Sequence, residues 1–309
     1  MKAAPKVNLA VSVRQRLLNI ARDRRADFQL VLIQYAIERL LYRLSRSVHK
    51  DRFLLKGAML FSVWSAEPFR PTRDLDFLGQ GDSTVAAAER NFKEICRTSV
   101  EDDGLEFLVD SIEGDEIRED QEYRGVRLRF EARLAGARIP MQIDVGFGDA
   151  VIPSPEIIDY PVLLDLPAPR IRAYPREVVI AEKFQALVVL GIANSRMKDF
   201  FDLWMLVSAF DFEGPRLSRA IKATFERRKT RLPSDPPLAL TEDFYDTAAK
   251  QVQWSAFLRK GRLKIQEKDF KKVVLLWRSF LMPPTVALVE KHAFEAKWPA
   301  RGPWRQLEK

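Results

Sequence analysis

Two aspartates separated by a single residue are the first candidates for chemistry in this sequence. Asp74 and Asp76 flank the apolar Leu75, so on a β-strand both carboxylates project from the same face of the sheet. Asp144 lies in a second alternating segment, and if the two strands are neighbours, three carboxylates share one surface. Like charges held this close are unfavourable unless a cation binds between them. Oxygen ligands of this kind suit Mg²⁺, and two such ions could clamp the oxygens of an in-line phosphoryl or nucleotidyl displacement.

The simpler interpretation of an Asp-x-Asp pair is a solvated strand end, and for the pair alone it is the better one. The surrounding residues weaken it. Leu-Lys-Gly-Ala-Met-Leu-Phe precedes the pair and Gln-Ile-Asp-Val-Gly-Phe-Gly-Asp surrounds Asp144, and both stretches are apolar and contain glycine. A charge in such a context is costly without a partner, which favours a cation site.

A second group of charged residues lies in the later, helical part of the chain. Lys183 interrupts an apolar helix, and Arg196, Asp199 and Asp202 follow at helical spacing on one face of the next helix. One interpretation is a surface ladder of ion pairs that includes Lys198. The other is a site in which Lys183 neutralises the charge of a triphosphate while the aspartates orient it. The residues alone do not decide between these two.

The composition excludes several kinds of chemistry. The 309 residues include one cysteine and two histidines, so a disulfide framework, a cysteine-based zinc cluster and histidine catalysis are not expected. The formal net charge of +8 favours polyanionic partners without choosing among them. The N-terminus lacks an apolar signal sequence, and no uninterrupted apolar run reaches the roughly 20 residues of a membrane helix. We therefore expect a cytoplasmic protein with no membrane partner.

The alternation of apolar and polar residues predicts an α+β fold with a mixed sheet flanked by helices. A short buried segment is expected at 53–55, and strands are expected at 74–78, 126–134 and 139–147, the last two because apolar residues recur at every second position. Helices are expected at 13–24, opened by a capping box at Ser12 and Gln15, and at 27–47, 58–61, 86–97, 175–191, 195–209, 270–281 and 286–297. The proline-rich stretch 153–175 is the best linker candidate, so we expect domains at 1–165 and 166–309.

Basic residues form three patches that could guide a polyanion. They are a strand face (Arg127, Arg129, Arg133), a loop (Arg227, Arg228, Lys229, Arg231) and the C-terminal tail (Trp298, Arg301, Trp304, Arg305). A solvated basic face, or a tail that docks its tryptophans on the core, explains each patch at least as well.

Five blocks, in order, carry a resemblance to a known family. Lys-Gly-Ala-Met-Leu from Lys56, Arg-Pro-Thr-Arg-Asp-Leu-Asp-Phe to Phe77, and the segment around Asp144 resemble the AbiEii/MenT nucleotidyltransferase toxins. Glu-Lys-Phe at 182–184 and the segment 196–203 resemble the later motifs of that family. The resemblance spans roughly 52–209. One departure is Lys56-Gly57-Ala58, where many relatives have Gly-Gly or Gly-Ser.

The resemblance implies a DNA-polymerase-β-like nucleotidyltransferase core with a helical C-terminal domain that contributes to the active site. It implies a toxin of a bacterial toxin–antitoxin system that moves NMP from an NTP to an RNA 3′ end, with the tRNA acceptor stem as the expected target, and so inhibits translation. The expected partners are the NTP, the RNA and an antitoxin that is either a transcriptional regulator or a kinase. Thr72 occupies the position of a regulatory hydroxyl near the metal pair.

Site residues follow from the same resemblance. The catalytic set is Asp74, Asp76, Asp144, Lys183 and Asp202, and Asp144 is also a candidate base. Two Mg²⁺ ions are expected on Asp74, Asp76 and Asp144. Nucleotide-binding residues are expected at Lys56, Gly57, Thr72, Arg73, Lys183, Arg196 and Asp199. Two alternatives remain open: nucleotidylation of a protein or small-molecule hydroxyl, and a non-catalytic RNA-binding module.

Overall fold

The computed structural model describes residues 9–64, 72–120, 123–261, 263 and 267–306. The described chain forms two compact units. Unit 1 runs from the start of the described chain to Gly148 and includes Glu156–Ala173, and unit 2 comprises Asp149–Pro155 and the chain from Tyr174 onward. The functional domain division predicted after residue 165 stays a prediction.

Unit 1 is an α+β structure. Its helices are α1 (Leu9–Asp23), α2 (Phe28–Arg46), α3 (Phe61–Trp64) and α4 (Val85–Arg97), with 3-10 turns at Gly57–Leu60 and Val109–Ser111. Its strands are β1 (Phe53–Lys56), β2 (Asp74–Gly79), β3 (Glu106–Phe107), β4 (Glu113–Asp120), β5 (Tyr123–Leu134), β6 (Ala137–Phe147), β7 (Glu156–Asp159) and β8 (Arg170–Ala173).

Within the described residues these strands form one mixed sheet in the order β3-β5-β6-β2-β1-β8-β7, and β4 also pairs with β5. The central strand β2 runs parallel to β6 and antiparallel to β1. The strands β5 and β6 form a long antiparallel hairpin. The predicted strands are thereby confirmed. The sheet is mixed because β2 has one parallel neighbour, β6, and one antiparallel neighbour, β1.

Helices cover the apolar face of this sheet. Phe77 of β2 points toward α4, where its ring lies 6.0 Å from that of Phe92. Because side chains alternate along a strand, Asp74 and Asp76 project from the opposite face. The helix α2 is positioned at its ends as the sequence predicts: the side chain of Asp27 accepts a hydrogen bond from the amide of Leu30, and Ser47 caps the C-terminus.

Two predictions for unit 1 are wrong. The described helix α1 already includes Leu9, so Ser12 lies within the helix and does not cap it. The proline-rich stretch is not a linker, because it supplies β7 and β8 to the sheet. A proline lacks only its backbone N–H donor. The prolines that lie before and after β7 and β8 are therefore tolerated at this end of the sheet. Pro68 and Pro71, which we expect to break the helix that begins at Ala58, lie outside the described residues.

Unit 2 is mainly helical. Its helices are α5 (Arg176–Leu190), α6 (Met197–Ala209), α7 (Gly214–Arg227), α8 (Glu242–Tyr245), α9 (Ala248–Gly261) and α10 (Phe270–Val289), with 3-10 turns at Gly191–Ala193 and Leu238–Leu240. A small antiparallel sheet contains β9 (Phe212–Glu213), β10 (Ala296–Trp298) and β11 (Arg305–Gln306). The predicted helices that became α5 and α6 are confirmed.

The prediction of two helices at 270–281 and 286–297 is wrong. One helix, α10, continues through Pro283 and Pro284. A proline leaves the carbonyl four residues earlier without its helical donor. For Pro284 that carbonyl belongs to Phe280, and it accepts a hydrogen bond of 2.9 Å from the indole nitrogen of Trp304. The C-terminal tail thus supplies a hydrogen-bond donor in place of the one that Pro284 lacks. After α10, residues Ala296–Trp298 form strand β10 and not the predicted second helix.

The same contacts decide the role of the tryptophans in the tail. Trp298 is buried, and the ring of Trp304 stacks on Phe280 at 5.4 Å. The interpretation in which the tail docks its tryptophans on the core is therefore confirmed.

By length and composition, α10 is also apolar enough to cross a membrane, with a mean hydropathy of 1.4 in its best window. Half of that window is buried inside this protein, and the core helix of a soluble protein meets the same criterion. The α+β prediction, with a mixed sheet flanked by helices and a helical C-terminal region, is confirmed.

Candidate functional site

The polar face of the unit 1 sheet carries a row of four charged residues. Strand register places Lys56 of β1 opposite Asp76 of β2. Asp76 is in turn beside Asp144 of β6, and Asp144 is opposite Arg127 of β5. Residues at matching positions on neighbouring strands have side chains on the same face. The row therefore reads cation, carboxylate, carboxylate, cation, and Asp74 lies two residues before Asp76 on the same face.

Arg127 binds Asp144 through both arms of its guanidinium group. Its Nε donates to Oδ1 at 2.8 Å, and its Nη2 donates to Oδ2 at 2.6 Å. This is the two-pronged geometry that arginine and carboxylate groups favour. The hydrogen bonds that Arg127 donates to Asp144 raise the pKa of Arg127, and the negative charges of Asp74 and Asp76 act in the same direction. Arg127 therefore stays charged and faces all three carboxylates.

Lys56 approaches the same row from the other side. Its ammonium nitrogen lies over β6, 3.6 Å from where a Cβ on Gly146 would be. Gly146 follows Asp144 by two residues and so lies on the same face of the strand. The absence of a side chain at Gly146 leaves room for the lysine to reach across β2.

Gly57 lies against the carboxylate of Asp76. Its φ is +74°, a conformation that residues with a side chain rarely adopt, and a Cβ there would be 2.0 Å from Oδ2 of Asp76. The glycine is therefore required for the shape of this site. Contact between Gly57 and a phosphate stays a prediction.

Thr72 and Arg73 immediately precede β2. Thr72 is half-buried, and Arg73 is exposed beside the exposed Asp74. Their predicted roles in nucleotide binding stay predictions. The first two residues of the matching motif, Arg70 and Pro71, lie outside the described residues.

The second predicted group lies within unit 2 and is held together as one cluster. The ammonium of Lys183 donates to Oδ1 of Asp199 at 2.6 Å and to Oδ2 of Asp202 at 2.9 Å. Arg196 pairs with the other oxygen of Asp199 at 2.6 Å. Both carboxylates are buried, with Asp202 at 0% exposure. The alternative of a surface ladder is therefore wrong for these two aspartates.

Electrostatics keep this cluster ionised. Burial lowers the pKa of Lys183, but the charges of Asp199 and Asp202 outweigh it, and the net pKa lies above the ordinary value. Burial likewise raises the pKa of Asp199, and Lys183 with Arg196 outweighs that effect, so its net pKa is lowered. Two of the three N–H bonds of Lys183 are used by the carboxylates, which fixes the direction of the third.

A further polar cluster in unit 2 was not predicted from the sequence. Arg228, assigned above to a basic loop, donates to Asp149 at 3.1 Å and to Gln185 at 2.9 Å. Glu182 lies 3.6 Å from the same guanidinium group. Burial and the charge of Glu182 raise the pKa of the neighbouring Tyr174. The guanidinium group of Arg228 therefore binds polar side chains within unit 2.

The basic strand face is also internally paired. Arg129 pairs with Asp115 at 2.5 Å, and Arg133 with Glu131 at 3.2 Å. Arg127 is the member that sequence reasoning misplaced, since its partner is Asp144. The positive charge of this face is therefore largely matched by carboxylates of the same sheet.

On this face of the sheet, Asp74 and Asp76 form a pair of carboxylates that could bind a metal ion. Among the residues that the structure describes, no group of three or more Asp, Glu, His and Cys side chains could hold a metal. Mg²⁺ is usually bound by one or two carboxylates together with water and substrate phosphates. Asp74 and Asp76 fit that requirement. Both oxygens of Asp144 accept hydrogen bonds from Arg127, so its assignment as a third ligand stays a prediction.

Comparison with known proteins gives one family match. The family described as the nucleotidyl transferase AbiEii toxin of a type IV toxin–antitoxin system matches residues 39–275, which is more than half of the chain. Among solved structures, MenT4, a nucleotidyltransferase toxin from Mycobacterium tuberculosis, is similar at 16% identity and a TM-score of 0.49, over 91% of this chain and 98% of that chain. JHP933 from Helicobacter pylori is similar at 14% identity and a TM-score of 0.49, over 86% and 95%. Curated protein sequences give no match.

Proposed function

Because the chain belongs to the AbiEii family of nucleotidyltransferase toxins of type IV toxin–antitoxin systems, we propose that it moves NMP from an NTP to the 3′ end of an RNA. The proposed acceptor is the 3′ end of tRNA, and the proposed outcome is inhibition of translation and growth. A cognate antitoxin, either a transcriptional regulator or a kinase, would restrain it in the cytoplasm. Phosphorylation of Thr72 would suit a kinase-type antitoxin, because Thr72 precedes Asp74 by two residues.

The observation that carries the proposal is the carboxylate pair on β2, with Lys56 on the neighbouring strand β1 and Arg127 on β5, beyond β6 on the other side. An NTP brings several negative charges that need compensation, and the face of the sheet offers Lys56 and Arg127 on either side of the aspartates. Gly57 keeps the approach to Asp76 free of a side chain. Such an arrangement suits binding of a polyphosphate through a divalent cation.

The reaction itself needs little covalent chemistry from the protein. The 3′ oxygen of the acceptor forms a bond to the α-phosphorus, and the bond from that phosphorus to the bridging oxygen breaks. Pyrophosphate leaves with the electron pair, and the proton of the hydroxyl passes to solvent or a nearby base. Positioning and charge stabilisation therefore supply the rate enhancement.

Each group of residues has a proposed role. Asp74 and Asp76 would hold Mg²⁺, which when bound supplies positive charge to the triphosphate. Lys183 would donate its remaining N–H to a phosphate oxygen, because Asp199 and Asp202 hold its ammonium in one orientation. Arg196 steadies Asp199 and adds positive charge. The role of Asp144 as a base would require its release by Arg127.

The experiment is a transfer assay with each α-labelled NTP, Mg²⁺ and total bacterial tRNA. We expect label on RNA with the wild type and a loss of more than about 100-fold with Asp74→Asn, because removing a metal ligand costs more than the roughly 10- to 100-fold that loss of an outer-shell partner costs. Asp74 is exposed, so this variant should fold normally. Asp115→Asn is the matched control, since Asp115 is also an exposed aspartate on a strand of this sheet, and it should keep full activity.

The outcomes separate the alternatives. Label on a protein or a small molecule would show that the acceptor is not RNA, and the chain would still be a nucleotidyltransferase. Equal activity of the wild type and Asp74→Asn would refute the role of the carboxylate pair. Tight RNA binding with no transfer of any nucleotide would favour a non-catalytic RNA-binding module.

A further inference from the structure

The polar face of the unit 1 sheet, called the acidic face below, carries the carboxylates of Asp74, Asp76 and Asp144. The third of these, Asp144, is already bound by another side chain. Asp144 accepts hydrogen bonds from Arg127 on both of its oxygens, at 2.8 and 2.6 Å. Their positions are fixed by the backbone, since Arg127 and Asp144 are direct partners in the register of the β5–β6 hairpin. The ion pair is therefore built into the sheet, and it does not depend on a mobile loop.

The pair is partly sheltered from solvent. The side chain of Asp144 is 21% exposed and that of Arg127 is 33% exposed. A metal ion that used Asp144 would have to displace a charge-assisted, two-pronged contact, which is among the stronger hydrogen-bonding arrangements in proteins. An arginine cannot lose its charge to make this easier, because it stays protonated at any physiological pH.

The charges of the face point to the same conclusion. Lys56 and Arg127 offset two of the three carboxylates, which leaves one negative charge in excess among these five side chains. Three carboxylates without cations would need two divalent ions. Two divalent ions on three carboxylates would leave one positive charge to attract the triphosphate. These five side chains, with one negative charge in excess, reach the same balance with a single divalent ion.

We propose that Arg127 is a built-in cation at the third carboxylate, so that the acidic face binds one divalent ion at Asp74 and Asp76 and excludes a second ion from Asp144. The inference rests on the proposed function, because it concerns the metal that the transfer reaction would use. Arg127 acts through Asp144 and is a positioning residue.

The test counts bound ions directly. The full-length protein is titrated with Mn²⁺, and free Mn²⁺ is followed by electron paramagnetic resonance, first alone and then with each of four NTP analogues that cannot release pyrophosphate. We expect one ion per wild-type chain with the preferred analogue. Arg127→Gln should bind two, because Asp144 is then free. Arg129→Gln, two residues along the same strand face, should bind one.

A second pair of variants shows where the additional ion binds. Adding Asp144→Asn to Arg127→Gln should return the count to one, because the freed carboxylate is gone. Circular dichroism and thermal melting establish that each variant is folded. If Arg127→Gln does not fold, a wild-type count of two still overturns the inference, and Arg127→Lys, which loses the two-pronged contact, takes its place as the variant expected to bind a second ion.

Each outcome has a distinct meaning. Two ions on the wild type would overturn the inference and leave the proposed function intact. One ion on both the wild type and a folded Arg127→Gln would also overturn it, since Arg127 would then exclude nothing. No ion on any folded form would instead contradict the proposed use of Mg²⁺.

Discussion

Glu38 offers a prediction that depends on pH. This residue lies on α2 with 1% exposure, and its Oε2 accepts a hydrogen bond of 2.9 Å from the amide of Leu163. Burial raises the pKa of Glu38 from 4.5 to about 8, against the opposing effects of the Leu163 amide and the charge of Arg39. The folded protein therefore keeps this carboxyl protonated at neutral pH, whereas the unfolded chain loses the proton.

The sign of the effect follows from proton binding. A group whose pKa is raised by folding contributes stability that is fully present below pH 4.5 and is lost as the pH rises through about 8. Between these values unfolding releases one proton, so the free energy of unfolding falls by about 1.4 kcal/mol per pH unit. From pH 5 to pH 8 the loss from this one residue amounts to about 3 to 4 kcal/mol.

Glu38→Gln isolates this term, because glutamine has the same shape, cannot ionise and still accepts from Leu163. We expect the variant and the wild type to be similar in urea unfolding at pH 5, and the variant to be more stable by about 3 to 4 kcal/mol at pH 8. Glu295→Gln removes an exposed carboxylate and should follow the wild type at both values. A difference between wild type and Glu38→Gln that stays constant with pH would refute the reasoning.

Two further predictions concern the site. Lys183→Met should destabilise the protein by about 3 to 5 kcal/mol, because it removes the ammonium group that both buried carboxylates, Asp199 and Asp202, bind. Urea unfolding measures this, and adding Asp202→Asn should recover part of the loss; no recovery would contradict a charge effect. Gly57→Ala should abolish nucleotide transfer, since the new Cβ displaces the carboxylate of Asp76. Gly136→Ala is its control in the transfer assay, because φ is +79° there and nothing lies within 4 Å, so it carries a similar backbone strain of about 1 to 2 kcal/mol and should stay active.

The local pattern of the chain predicted most of the elements that carry the site. Alternation predicts the strand that contains Asp144, and the segment Asp-Leu-Asp-Phe-Leu predicts the strand that contains Asp74; their neighbouring positions follow once the strands are paired. Helical spacing groups Arg196, Asp199 and Asp202 on one face, whereas Lys183 lies on the preceding helix and joins the aspartates in only one of the two interpretations. Burial was the part that spacing could not decide, since the same spacing describes a surface ladder.

The partner of Arg127 could have been found with one more step. Residues Ala135 and Gly136 form a two-residue turn in which both have positive φ, as the commonest tight hairpins require. Such a turn places Leu134 opposite Ala137, and counting back along both strands brings Arg127 opposite Asp144. Composition alone treated Arg127 as part of a basic face because it ignores register.

The errors elsewhere came from proline. A proline predicts a break in a helix, yet α10 continues through two prolines because Trp304 donates to a carbonyl that has no helical donor. That donor lies 24 residues away in sequence and leaves no local signal. Likewise β7 and β8 are too short and too close to prolines to show alternation, and only their pairing makes them strands.

The route of the chain through unit 1 has a consequence for synthesis on the ribosome. The strands that carry the acidic face are complete once Phe147 has emerged, but β8, which covers the open side of β1, ends only at Ala173. At a typical elongation rate of about 5 to 20 residues per second, this edge waits for a few seconds. During that interval β1 presents unpaired backbone groups beside Lys56, and such an edge is open to pairing with another chain. A slow stretch of translation in this part of the message would therefore lengthen the period in which the nascent chain is most prone to aggregate.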